Sequence, residues 1–142
     1  MVPADVKQAI KQRAAAEWPA DYEMKAHTIG QQSEAYVKMA QFAAFDPEHE
    51  VFVICFAKAR ADWPDDYTMQ VYTFENQTQA AIAFFNATNS AIPPAVLEEI
   101  KSRAFSEWVG DYEMMLYEFK HQTEAWLSIE SEGMGSVPWS GR

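Results

Sequence analysis

Trp18, Trp63 and Trp108 stand at equal intervals of 45 residues, and the same shift superposes their surroundings without a gap. Seven further columns are identical in all three copies: Val6/Val51/Val96, Ala14/Ala59/Ala104, Asp21/Asp66/Asp111, Tyr22/Tyr67/Tyr112, Met24/Met69/Met114, Gln32/Gln77/Gln122 and Ala35/Ala80/Ala125. Others keep their chemistry, as in Arg13/Lys58/Arg103, Glu17/Asp62/Glu107 and Ser33/Thr78/Thr123. The chain is therefore three tandem units, 1–45, 46–90 and 91–135, and what one unit folds into its neighbours also fold into. At 142 residues the expected organisation is a single domain over 1–142, with 131–142 as a flexible tail.

The first half of each unit reads as a helix. Val6, Ile10, Ala14 and Trp18 form an i, i+4, i+8, i+12 stripe that recurs as Val96, Ile100, Ala104 and Trp108 after Pro93-Pro94. In the middle unit Val51-Phe52-Val53-Ile54-Cys55-Phe56 has the composition of a buried strand. The repeat overrules that propensity, with Asp46-Pro47 expected as N-cap and first helical residue. Each first helix should stop at its tryptophan, because Pro19 and Pro64 follow in two units and Val109-Gly110 in the third.

The second half keeps a heptad-like seam. Tyr22, Ala26, Ile29, Ser33 and Tyr36 recur as Tyr67, Val71, Phe74, Thr78, Ala81 and as Tyr112, Leu116, Phe119, Thr123, Trp126. One continuous helix explains all three copies, so the chain is expected to be mainly α, three helical hairpins forming a compact six-helix bundle. The alternative is an α+β fold in which the segments after each tryptophan turn are strands of a small sheet. The period is similar to that of HEAT and armadillo units, which are also helix pairs, although no motif of theirs is present.

The polar columns admit two readings. As a binding set, Trp18, Trp63, Trp108, Asp21, Asp66, Asp111, Tyr22, Tyr67, Tyr112, Gln32, Gln77 and Gln122 would line a pocket between repeats, aromatic walls around acidic groups. As structure, each tryptophan plugs the core of its hairpin, each aspartate caps the following helix, and each glutamine ties helices together. Three equivalent features in a repeat usually serve the fold being repeated, so the structural reading is preferred. The acid before each tryptophan lies four residues after Arg13, Lys58 or Arg103, which offers an ion pair along the helix.

Little else carries chemistry. There is no phosphate-binding glycine loop and no nucleophile elbow, so no catalytic residue is assigned. His27, His49 and His121 share no column and no ligand spacing, and neither a metal nor a cofactor is expected. Cys55, the single cysteine, sits among apolar neighbours that should raise its thiol pKa. A net charge of -10 disfavours nucleic acid, and no run approaches the ~20 apolar residues of a membrane span. Units two and three are the acidic ones, whereas residues 1–45 hold five basic and five acidic side chains. The expected function is a non-catalytic, cytoplasmic module for protein interaction, with a basic partner or by self-association. A small-molecule binding protein or enzyme with a pocket between repeats is the alternative.

Overall fold

The computed structural model describes residues 1–135, and among them every regular element is a helix. The helices are α1 (Ala4–Glu17), α2 (Tyr22–Phe45), α3 (Glu50–Asp62), α4 (Tyr67–Asn86), α5 (Pro94–Glu107) and α6 (Tyr112–Gly135). No strand occurs among the described residues, which rejects the α+β alternative. The strand-like run at 51–56 lies inside α3: the helical pattern of the whole unit outweighs the local β propensity of valine, isoleucine and phenylalanine. Of the tail expected over 131–142, residues 136–142 lie outside the described residues, and α6 is continuous to Gly135.

Each tryptophan ends its helix. Trp18, Trp63 and Trp108 are the C-cap residues of α1, α3 and α5, and their backbone N–H groups donate to the carbonyls of Ala14, Ala59 and Ala104. The three alanines are completely buried. A methyl side chain there lets the partner helix approach closely, and any larger side chain would overpack the contact. The tryptophans themselves are only partly covered, Trp63 being 37% exposed, so the expected core plug is the alanine rather than the indole. The stripe runs off the buried face at its last position because the helix stops there and the chain turns away. Trp18 and Trp63 bridge their hairpins instead, with indole N–H groups donating to Thr28 Oγ1 (3.1 Å) and Thr73 Oγ1 (3.0 Å).

The aspartates start the second helices. Asp21, Asp66 and Asp111 each accept from the N–H three residues on, that of Met24, Met69 and Met114, at 3.0, 3.1 and 3.2 Å. The third turn replaces proline by Val109-Gly110, and Gly110 takes φ 81°, a conformation that L side chains rarely adopt. One expected boundary moves. Asp46-Pro47 does not open α3 but forms a turn closed by the His49 N–H on the Asp46 carbonyl (3.1 Å), and His49 is the N-cap.

The chain divides into two compact units, Met1–Asn76 and Gln77–Arg142, with the division inside α4. In the first, α2 packs against both α1 and α3, and Phe74 of α4 lies against Phe42, Phe52 and Phe56. In the second, α5 packs on α6, and Phe84 meets Phe119 edge to face at 6.2 Å.

Candidate functional site

The glutamine, aspartate and tyrosine columns converge where one repeat meets the next. In the first unit Gln32, on α2, reaches the start of α4. Its Oε1 accepts the Tyr67 N–H at 2.7 Å, and its Nε2 donates to Asp66 Oδ1 at 3.0 Å and to Thr68 Oγ1 at 3.3 Å. Tyr67 is the first residue of α4, so its N–H has no partner within the helix, and the glutamine supplies one. The neighbouring donor, Met69 N–H, is taken by Asp66. One side chain from the preceding repeat therefore completes the cap that the next repeat begins.

The same joint recurs in the second unit. Gln77 Oε1 accepts the Tyr112 N–H at 2.7 Å, and Nε2 donates to Asp111 Oδ1 and Glu113 Oε1, both at 3.1 Å. Gln77 and Tyr112 are 1% and 2% exposed, so the amide–amide contact is dry. Each joint is flanked by aromatic packing, Tyr36 edge-on to Tyr67 at 5.1 Å in one and Phe85 against Tyr112 at 5.8 Å in the other.

Charge strengthens the first joint. Arg13 does not pair with Glu17 four residues along, as its spacing suggested. It reaches Asp66 Oδ2 at 3.3 Å and donates to the Asp65 carbonyl. Lys58–Asp62 and Arg103–Glu107 do form the expected pairs along the helix, at 3.2 and 3.1 Å. Burial works against the Asp66 charge, but hydrogen bonds from Gln32, Thr68 and the Met69 N–H, together with Arg13, outweigh it and hold the carboxyl below its ordinary value.

Among the described residues the terminal copies of these columns find no such partner. Asp21 and Tyr22 are exposed, and among the described residues the Tyr22 N–H has no acceptor. Gln122 is exposed as well, and among the described residues it donates only to Glu118 of its own helix, at 2.9 Å. The neighbouring Ala125 is exposed where Ala35 and Ala80 are buried. Glu118 stands where Thr28 and Thr73 stand in the other repeats, and the Trp108 indole N–H is buried with no partner among the described residues.

Of the twelve residues singled out from sequence, the structure thus brings together Gln32, Asp66 and Tyr67, and separately Gln77, Asp111 and Tyr112. Asp21, Tyr22 and Gln122 belong to neither cluster, and the tryptophans lie outside both. The sequence did not show the contribution of Arg13, because nothing in a column states that a side chain serves the following repeat, nor of Thr68 and Glu113, because that column differs in chemistry from repeat to repeat.

Elsewhere in the first unit a cleft of about 310 Å³ is lined by Val6, Tyr36, Met39, Phe56, Arg60 and Tyr67, among others. Cys55 is completely buried, and burial pushes its thiol up to about 12. Among the described residues no three His, Cys, Asp or Glu side chains are grouped so as to hold a metal ion, and no helix is long and apolar enough to cross a membrane. No protein-family model, curated protein or solved structure matches the chain.

Proposed function

We propose that this chain is a repeat scaffold that acts through contact with other protein surfaces rather than through catalysis. The carrying observation is the fate of the recurrent polar set. Inside the chain it makes caps and joints between neighbouring repeats, whereas Asp21 and Tyr22 of the first repeat and Gln122 of the last are exposed, as are Tyr117 and Ile129 on α6. Surfaces that combine exposed aromatic rings with exposed polar groups are suited to protein contact. With one cysteine the chain forms no internal disulfide, which fits a protein that works in a reducing compartment such as the cytoplasm.

Crosslinking with mass spectrometry on the intact chain in its native lysate tests this reading. Crosslinks from the first or last repeat to a protein surface are expected. A chain that crosslinks to nothing and is stabilised by a metabolite would contradict it.

A second reading rests on the cleft in the first unit. Its volume is at the lower end for a ligand site, and the Arg60 guanidinium lies beside the Phe56 ring at 5.8 Å in a lining that is mainly apolar but includes Gln70, Tyr36 and Tyr67. A small apolar acid is the ligand class that would suit it. A rise in melting temperature with medium-chain carboxylates, lost in Arg60→Ala, would support that reading.

A further inference from the structure

Resting on the protein-contact reading, we infer that the partner is a second copy of this chain, joined head to tail, with Gln122 of one copy completing the helix start at Asp21–Tyr22 of the next. The repeat makes this joint twice internally, and the two copies agree in detail: glutamine Oε1 to the tyrosine N–H at 2.7 Å, glutamine Nε2 to the aspartate carboxylate at 3.0 and 3.1 Å. Three repeats contain three glutamines and three Asp–Tyr helix starts, but only two internal joints. One glutamine and one helix start are left over, in the last and first repeats, and each is the complement of the other.

The surroundings of the leftover halves match as well. In the first joint Tyr36 packs edge-on to Tyr67. The same column in the third repeat is Trp126, which is half-buried and can receive the exposed Tyr22 ring of the next copy. In the first joint Arg13 pairs with Asp66. Its counterpart Arg103 is largely exposed, engaged among the described residues along its own helix with Glu107, and can reach Asp21 of the next copy. In the second joint Gln77 Nε2 also donates to Glu113, whose counterpart at the free helix start is the exposed Glu23.

Charge favours this pairing over the symmetric one between two third repeats. Residues 1–45 carry five basic and five acidic side chains, whereas 91–142 carry four and nine. Setting a first repeat on a third places a neutral surface on an acidic one, while joining two third repeats would oppose like charges. Because the two halves of the joint differ, the contact is heterologous: each copy that joins presents the same free half again, and growth does not stop at two unless the assembly closes on itself.

Two variants isolate the halves. Gln122→Ala removes the tie at an exposed position. Tyr22→Pro removes the N–H it would bind, at a first helical position where proline is well tolerated and where Asp21 already has the extended backbone that a following proline demands. Circular dichroism should show both folded as the wild type. Sedimentation velocity of the wild-type chain over a concentration series should show a mass that rises with concentration. Each variant alone should have its association weakened by about tenfold or more. An equimolar mixture of the two retains one intact pair of halves and should form a 1:1 dimer that grows no further.

Wild type that stays monomeric at the highest concentration would overturn the inference. So would variants that associate like the wild type, or a single variant that dimerises with itself. Crosslinking of the same faces to a different protein, with the wild type monomeric, would remove the self-joining inference and leave the protein-contact reading standing. Absence of both contacts would remove the two together.

Discussion

Replacing the three glutamines one at a time should give three unequal losses of stability, although the residues occupy identical positions in the repeat. Gln77→Ala leaves the Tyr112 N–H without its acceptor in a site where both residues are almost wholly buried. An orphaned buried donor costs about 1–3 kcal/mol, and the lost donation to the half-buried Asp111 carboxylate adds about 1 kcal/mol. The bond to Glu113 adds little, because that carboxylate is exposed. The expected total is about 3 kcal/mol, a large fraction of the stability of a small protein. Gln32→Ala should cost somewhat less, about 2 kcal/mol, since Gln32 is 8% exposed and water can reach part of what it leaves. Gln122→Ala should stay within about 0.5 kcal/mol of wild type when measured on monomer. Urea unfolding at low protein concentration, read as a shift in midpoint at constant slope, measures all three. Equal costs at the three positions, or a Gln77→Ala variant as stable as wild type, would refute the argument that the joint couples repeats.

Other perturbations separate neighbouring parts of the account. Asp66 is held below its ordinary pKa of 3.8 in the folded chain, so its contribution is complete above that value and is lost as the pH falls through the lower folded pKa. Acid titration of wild type against Asp66→Asn should show the wild-type advantage vanishing in that range. Trp63→Phe removes an indole bond to Thr73 and should cost about 1 kcal/mol more than Trp108→Phe, whose indole N–H has no partner among the described residues; calorimetry of the two variants compares them directly. Gly110→Ala should destabilise by about 1–2 kcal/mol because of its positive φ, whereas Gly30→Ala, inside α2 with open space around the added methyl, should stabilise by about 0.5–1 kcal/mol. Cys55 should resist thiol reagents at pH 8 until the chain is unfolded in denaturant.

The helical architecture was legible because the repeat allowed three imperfect copies to be read as one. The strand-like 51–56 is helical for the reason its sister segments are, and the uninterrupted seam from Tyr67 to Ala81 correctly implied one helix. The aspartate caps were legible from their place between a turn and a periodic run. The role of the tryptophans was not, since hydropathy assigns a large ring to the interior while the helix end carries it toward the surface. Nor was the direction of the joint. A glutamine column says that an amide recurs, but whether Gln32 serves its own repeat or Tyr67 of the next depends on how neighbouring helices pack. Arg13 shows the same effect: its spacing to Glu17 offered a local pair, and a deeper partner 53 residues away took precedence.

Amide hydrogen exchange at the three helix starts tests the joint most directly. The Tyr67 and Tyr112 N–H groups occupy first helical positions, which are ordinarily unprotected, and here a glutamine carbonyl holds each at 2.7 Å. On monomer at low concentration both should exchange slowly while the Tyr22 N–H exchanges freely, and Gln77→Ala should release Tyr112 alone. Raising the concentration should slow exchange at Tyr22 as the next copy's Gln122 engages it. Equal, rapid exchange at all three amides would contradict the glutamine joint, and protection at Tyr22 that never changes with concentration would contradict its use between chains.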